Sequence, residues 1–215
     1  MSSSGRQMDN FFRAHPQTAQ LHLTDRHWER RAVAVRYAPL DAIRNLMSDP
    51  DEVVRRVVAM RLEPEELLRM RRDADREVRI TVAQRLPVDD LLSMAGDADY
   101  MVRVIVARRM SHGRLPRLLA DPEREVRKTV AQRLPAFALR KLIDDPEAEV
   151  RCIVASRALP EDAEHLLGDP EWTVRFAAVA RAPRAALHAV VDDPEPEVRR
   201  LARERLERPD KPEEK

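Results

Sequence analysis

The sequence contains few of the residues on which most enzyme and metal sites are built. A single cysteine, Cys152, among 215 residues excludes an intrachain disulfide and a set of thiolate ligands. Only four glycines, Gly5, Gly96, Gly113 and Gly168, leave no glycine-rich loop of the kind that binds phosphate groups. These scarcities disfavour an enzyme and predict that the chain binds no cofactor.

Aromatic residues make up only 4% of the sequence, and lysine supplies only four of the 39 basic side chains. The 39 basic residues face 38 acidic ones, a net charge of +1 that does not favour nucleic acid as a partner. No N-terminal apolar run resembles a signal peptide or a membrane span. We therefore expect a cytoplasmic protein, monomeric and without a membrane partner.

The six histidines are scattered along the chain. His22 and His27 are five residues apart but have no third candidate ligand nearby, so we interpret them as surface residues and not as a metal site. Cys152 has no histidine partner in the local sequence, which favours a thiol at the edge of the core over a nucleophile. We therefore predict no catalytic residue and no metal site.

The sequence is organised instead by a repeat of 24 residues. Each copy begins with an aspartate, and residues 121–138, DPEREVRKTVAQRLPAFA, are a representative example. The copies begin at Asp25, Asp49, Asp73, Asp97, Asp121, Asp145, Asp169 and Asp193. A fixed period of this length is typical of solenoid proteins.

Within one repeat, the pattern predicts a helix followed by a short return segment. The first aspartate is expected to cap the helix, and a proline near the fifteenth position to end it after about 12 residues. Val126, Thr129, Val130 and Leu134 form an apolar stripe at helical spacing. A helix of that length rises about 18 Å, and the eight residues left to return span about 16 Å as a 3₁₀ helix but only about 12 Å as an α-helix. Alternating α and 3₁₀ helices that stack into an all-α solenoid are therefore predicted.

The two ends of the chain depart from the repeat. Residues 1–24 keep its phase but not its content, and Met8, Phe11 and Phe12 are large apolar groups suited to capping the first full repeat. The alternative is that this end docks on another domain or chain. Residues 25–206 hold eight repeats, the last partial, and residues 207–215 are a charged segment expected to be disordered.

The repeat resembles that of the leucine-rich repeat variant (LRV) family. The resemblance covers roughly residues 5–206 and depends on the fixed period together with the D-P-E-x-x-V-R and R-L-P motifs. It implies a right-handed superhelix of alternating α and 3₁₀ helices. The members that this chain resembles most are associated with nitrogen fixation and carry a cysteine-ligated [4Fe-4S] module before the repeats. No cysteine precedes Cys152 here, so that module was lost or this chain is the repeat portion of a longer one.

Two columns of arginine recur in the repeats. The first arginine column follows each initial aspartate by six residues and comprises Arg31, Arg55, Arg79, Arg103, Arg127, Arg151, Arg175 and Arg199. The second arginine column lies near the helix ends and comprises Arg61, Arg85, Arg109, Arg133, Arg157, Arg181 and Arg205. One interpretation is a structural ladder in which guanidinium groups bind aspartates and helix-end carbonyls of neighbouring repeats. The other is a basic track that binds phosphates or an acidic partner.

Aromatic residues occupy the fourth position of some repeats, opposite the apolar stripe. These are Trp28, Tyr100 and Trp172, and Phe176 follows Trp172 by one helical turn. They are candidate partner-binding residues, since aromatic side chains often anchor protein interfaces. The alternative is packing against a neighbouring return segment or helix.

Two classes of function are consistent with these patterns. The first is a non-enzymatic scaffold for protein–protein interaction, associated with nitrogen fixation if the family resemblance extends that far. The second is a module that binds nucleic acid or another polyanion through its arginine columns, as some HEAT-like repeats do. The matched number of acids and bases favours the first.

Overall fold

The computed structural model describes the backbone of residues 3–208 and the side chains of residues 6–208. Over this stretch every regular element is an α-helix or a 3₁₀ helix, and none of its residues lies in a β-strand. The chain forms two compact units, the first ending at Ser111 and the second beginning at His112. The predicted all-α fold class with alternating helix types is confirmed.

Within the described residues, the first unit contains eight α-helices, five of which have eight or more residues: the N-terminal helix and four repeat helices. In order these are α1 (Ser3–Ala14), α2 (Pro16–Ala19), α3 (Trp28–Tyr37), α4 (Leu40–Ile43), α5 (Glu52–Ala59), α6 (Pro64–Leu67), α7 (Arg76–Arg85) and α8 (Tyr100–Arg109). Its 3₁₀ helices span Gln20–His22, Arg44–Ser48, Leu68–Met70 and Leu91–Met94. The helices α3, α5, α7 and α8 pack against one another in chain order, as in a solenoid.

The second unit repeats this arrangement. Its α-helices are α9 (Arg124–Arg133), α10 (Ala148–Arg157), α11 (Pro160–His165), α12 (Trp172–Val179) and α13 (Pro196–Glu207). Its 3₁₀ helices span His112–Leu118, Ala136–Leu142, Leu166–Gly168 and Arg184–Val190. Here α9, α10, α12 and α13 pack in chain order.

Each repeat helix begins later than the sequence predicts. The prediction that the first aspartate caps the helix is wrong, because two residues separate that aspartate from the first residue of the helix. In α7 the cap is Asp75, the third residue of its repeat, whose carboxylate accepts the N–H groups of Glu77 and Val78. Asp51 and Asp99 cap α5 and α8 in the same way. The helices accordingly have 8 to 12 residues, and most fall short of the predicted length.

The return segments are 3₁₀ helices in part. Four of them run as a 3₁₀ helix alone, whereas α2, α4, α6 and α11 add a short α-helical turn before it. Pro64 and Pro160 occupy the first residue of α6 and α11, where the missing N–H of proline removes no helical hydrogen bond. The position of the proline therefore helps decide how a return segment starts.

The core consists of the predicted apolar stripe and one further position. Val126, Val130 and Leu134 are buried as predicted, and so is the return residue Leu139. The eleventh position of the repeat is also buried, although the sequence stripe omitted it; Ala131 is an example. A small side chain there brings adjacent helices close together.

The two ends of the described chain differ from the repeats. Phe12 of α1 is buried and its ring lies 5.1 Å from that of His22, whereas Phe11 is exposed. Helix α1 packs against α3. At the other end, Glu207 belongs to α13 and not to a disordered tail, and residues 209–215 lie outside the described residues.

Candidate functional site

Within each unit, arginines of the first column link one repeat to the next through bidentate ion pairs. In the second unit, Arg127 Nε donates to Asp145 Oδ2 at 2.7 Å and Nη2 donates to Oδ1 at 3.1 Å. The same geometry occurs at Arg31–Asp49, Arg55–Asp73, Arg79–Asp97, Arg151–Asp169 and Arg175–Asp193. These pairs are charge-assisted and matched in shape, which makes them among the stronger hydrogen bonds in proteins.

The arginines of the first column also bind the turn at the start of their own repeat. Arg127 Nη1 donates to the carbonyl of Asp121 at 2.8 Å, and Arg103 Nη1 donates to the carbonyl of Asp97 at 2.8 Å. Arg199 donates to the carbonyl of Asp193. The aspartate carboxylate in turn accepts a backbone N–H two residues later, as Asp145 does from Glu147 at 3.0 Å. An arginine such as Arg127 therefore joins the turn of its own repeat to the first aspartate of the next, and both charged groups are largely buried.

These contacts shift the ionisation of both partners. The hydrogen bond from Arg175 lowers the pKa of Asp193 below its ordinary value. Burial acts to raise the pKa of Asp169, but hydrogen bonds from Arg151 and from the Glu171 N–H more than offset it, so that pKa is lowered as well. The hydrogen bond to Asp145 raises the pKa of Arg127. Both shifts favour the charged forms, as expected for a stabilising ion pair.

The second arginine column reaches back to the preceding repeat. Arg85 Nη1 donates to the carbonyls of Ala59 at 2.6 Å and Leu62 at 2.9 Å, at the end of α5. Further contacts of this kind are Arg61 with Val35 and Ala38, Arg109 with Ala83, Arg157 with Ala131, Arg181 with Ala158, and Arg205 with Val179 and Ala182. Helix-end carbonyls lack partners within their own helix, and these arginines satisfy them.

The candidate partner-binding aromatics are half-exposed. Trp28, Tyr100 and Trp172 are the first residues of α3, α8 and α12, with exposures of 40%, 39% and 40%, and Phe176 is 37% exposed. Phe176 lies one turn after Trp172 on the same helix. Within the first unit, Trp28 and Tyr100 are separated by α5 and α7 and do not form one patch.

The seam between α3 and α5 contains an apolar groove that the sequence interpretation missed. We name it the α3/α5 groove; its volume is about 690 Å³. Its lining residues are Trp28, Glu29, Ala32, Val33 and Arg36 from α3, and Val53, Arg56, Val57, Met60 and Arg61 from α5 and its end. A signal was present in the sequence, because Ala32 stands at the eighth position of its repeat, where the next repeats carry the larger Arg56, Ile80 and Val104.

The groove has a basic rim whose arginines are engaged to different degrees. Arg36 pairs with Asp9 of α1 at 3.2 Å, and Arg61 binds the two carbonyls already described. Arg56 differs, since its Nε is buried without a hydrogen-bond partner in the described part of the chain. Glu29 is the acidic residue of the lining.

The remaining reactive side chains stay apart. Cys152 is half-buried, its Sγ lies 3.8 Å from the Thr173 carbonyl oxygen, and burial raises the pKa of its thiol. Among the side chains that the structure describes, no three His, Cys, Asp or Glu residues are grouped as a metal site would need. No helix within residues 3–208 is both long and apolar enough to cross a membrane.

Comparison with known proteins gives a strong similarity to one protein family. A family model described as leucine rich repeat variant matches residues 76–99 and 124–147. A solved structure described as a leucine-rich repeat variant with a novel repetitive protein structural motif is 53% identical to this chain. The match covers 95% of this chain and 88% of that chain, with a TM-score of 0.89.

Two further similarities to solved structures are weak. Two engineered proteins match at 16% and 17% identity with TM-scores of 0.42 and 0.29. The first match covers 92% of this chain and 79% of the engineered one, and the second covers 90% and 95%. No curated protein matches the sequence.

Proposed function

We propose that this chain, which belongs to the leucine-rich repeat variant family, is a non-enzymatic scaffold that binds a protein partner through its exposed aromatic side chains. The observation that carries the proposal is the placement of Trp172 and Phe176 on one face of α12, more than a third exposed. Large aromatic groups dominate binding energy at protein interfaces.

The arginine columns support this reading over a polyanion-binding module. A phosphate-binding track requires guanidinium groups that are free to face a ligand. Here Arg127 and Arg151 are committed to Asp145 and Asp169, and Arg85 to carbonyl oxygens. A polyanion would have to displace these internal partners. The exposed arginines, such as Arg124, lie beside acidic residues.

The context of the partner follows from the family resemblance alone. Similar repeat proteins are associated with nitrogen fixation, so a partner in nitrogenase maturation or electron supply is the first to look for. We therefore place the test in cells grown with and without fixed nitrogen.

Affinity capture with matched baits tests the scaffold proposal. The baits are the wild-type chain, the double variant Trp172→Ala/Phe176→Ala, and the charge variant Arg76→Glu/Arg124→Glu. We expect the wild type to retain a defined protein and the aromatic double variant to lose most of it, since truncating interface anchors costs more than about 2 kcal/mol each. The charge variant should mainly change the salt dependence of binding. Circular dichroism controls for folding.

Two outcomes would contradict the proposal. One is retention of the same protein by the wild type and the aromatic double variant. The other is salt-sensitive binding of duplex DNA with sub-micromolar affinity at about 0.15 M salt, which would favour the polyanion module instead.

A further inference from the structure

The α3/α5 groove has the form of a binding site for a helix. We propose, on the basis of the proposed scaffold function, that it binds an amphipathic helix of a protein partner, with apolar side chains in the groove and an acidic side chain paired with Arg56. The groove is a second contact surface, in the first unit, and is separate from the aromatic side chains of α12 in the second unit.

The size of the groove suits two turns of helix. One wall is formed by residues at i, i+1, i+4, i+5 and i+8 of α3, from Trp28 to Arg36. The other is formed by residues at i, i+3, i+4, i+7 and i+8, from Val53 on α5 to Arg61 just after its end. Eight residues rise about 12 Å along a helix, so the walls are about two turns long. Peptide helices that dock in such grooves insert apolar side chains spaced by three or four residues. Two such side chains match this length.

The floor of the groove is apolar, and three of its aliphatic residues are largely buried, with exposures of 5% at Ala32, 6% at Val33 and 7% at Val57. Val33 and Val57 form its sides, and Ala32 leaves open the space that a larger residue fills in other repeats. Met60, at one end, is 52% exposed, and Trp28 lies at the other. Apolar surface of this kind is stabilised by contact with another apolar surface and not by phosphates or sugars.

The charge of the rim selects an acidic occupant. Of the three arginines that line the groove, Arg36 and Arg61 are bound by groups of this chain, whereas Arg56 Nε has no hydrogen-bond partner among the residues described. Because Arg56 Nε is covered by the chain itself, a carboxylate from a partner would pair with the terminal guanidinium nitrogens of Arg56 through charge-assisted hydrogen bonds. A helix bearing lysine at the same point would be repelled. The geometry therefore points to a helix with leucine-like residues on one face and glutamate or aspartate beside them.

A pair of designed peptides tests this on the full-length protein. The first is a fluorescein-labelled helix of about 15 residues with leucine on one face and glutamate flanking it, and the second carries lysine in place of every glutamate. Fluorescence anisotropy measures both affinities. We expect the glutamate peptide to bind roughly tenfold more tightly than the lysine peptide.

Three variants of the protein locate the binding. Ala32→Phe should weaken binding of the glutamate peptide roughly tenfold because the larger side chain fills the groove. Phenylalanine already occurs at this eighth position of the repeat in α12, as Phe176. Arg56→Met keeps the apolar stem and should weaken it roughly fivefold while reducing the preference for glutamate. Arg108→Met, which replaces an exposed arginine elsewhere in the first unit, is the control and should change neither affinity.

The groove proposal is overturned if neither peptide binds, if the two bind equally, or if Ala32→Phe leaves binding unchanged. Binding of dodecanoate with the same dependence on Ala32, but of neither peptide, would assign the groove to a free carboxylate lipid instead. The scaffold proposal is tested separately. If wild-type bait captures a partner and the Ala32→Phe bait captures it equally, the scaffold stands and the groove proposal fails; if wild-type bait captures nothing, the scaffold fails.

Discussion

Arg127 and Asp145 are 18 residues apart in sequence, yet they form two parallel hydrogen bonds of 2.7 and 3.1 Å and are both buried. The pair joins the helix of one repeat to the turn that begins the next. Because five further pairs have the same geometry within the two units, the contact is a property of the repeat and not of one site.

The first prediction compares two arginines of the same helix. Arg127→Ala should lower the free energy of unfolding by about 2–5 kcal/mol, because it leaves the buried Asp145 carboxylate without its partner. Arg124→Ala should lower it by about 0–1 kcal/mol, since Arg124 is exposed and its acidic neighbours are 3.8 Å away. Urea unfolding followed by circular dichroism measures both. Equal losses would refute the structural ladder.

The second prediction concerns how the stability contributed by Asp193 changes with pH. The pKa of Asp193 is lowered in the folded protein by the hydrogen bond from Arg175, so its ionised form is stabilised relative to the unfolded chain. This contribution is present above the unfolded pKa of about 3.9 and is lost as the pH falls through the lower folded pKa. Asp193→Asn should therefore destabilise the protein at pH 7, and its difference from wild type should shrink below about pH 4.

Urea unfolding of both proteins between neutral and acidic pH measures that difference. Asp192→Asn is the matched control, because Asp192 is an exposed neighbour that meets Arg203 only at the surface. A difference between wild type and Asp193→Asn that stays constant across the range would contradict the assignment.

The third prediction tests the second arginine column. Arg85→Met keeps an unbranched apolar stem but removes the donors to the carbonyls of Ala59 and Leu62. Leaving acceptors without partners costs about 1–3 kcal/mol. Arg108→Met, at an exposed position, should stay within about 0.5 kcal/mol of wild type. If both variants unfold at the same urea concentration, these hydrogen bonds do not stabilise the fold.

The fourth prediction separates core from surface within one return segment. Leu139 is fully buried and Phe137, two residues before it, is 75% exposed. Leu139→Ala should destabilise the protein by about 2–5 kcal/mol because it leaves a cavity. Phe137→Ala should change stability by about 0.5 kcal/mol or less, although it removes the larger side chain. A greater loss at Phe137 than at Leu139 would show that the packing of this segment has been misassigned.

The sequence alone determined the class of fold. A 24-residue period with apolar residues such as Val126 and Val130 at helical spacing leaves stacking as the way to bury both faces of a repeat, and the short return segment restricts it to tight helices. These constraints come from the sequence of a single repeat and do not depend on the side chains of the neighbouring repeat. For the same reason the buried leucines of the return segments were predictable.

Only the tertiary structure decided how the polar residues are used. Seven of the eight repeats have an acid at both the first and the third position, and the sequence does not show which caps the helix, since both can accept a backbone N–H. The first, such as Asp73, is bound by Arg55 from the preceding repeat, and the third, Asp75, caps the helix instead. The α3/α5 groove likewise exists because Ala32 faces Val53 and Val57 of another repeat. Contacts between residues far apart in sequence decide both features, because a side chain's partner depends on which repeats are stacked beside it.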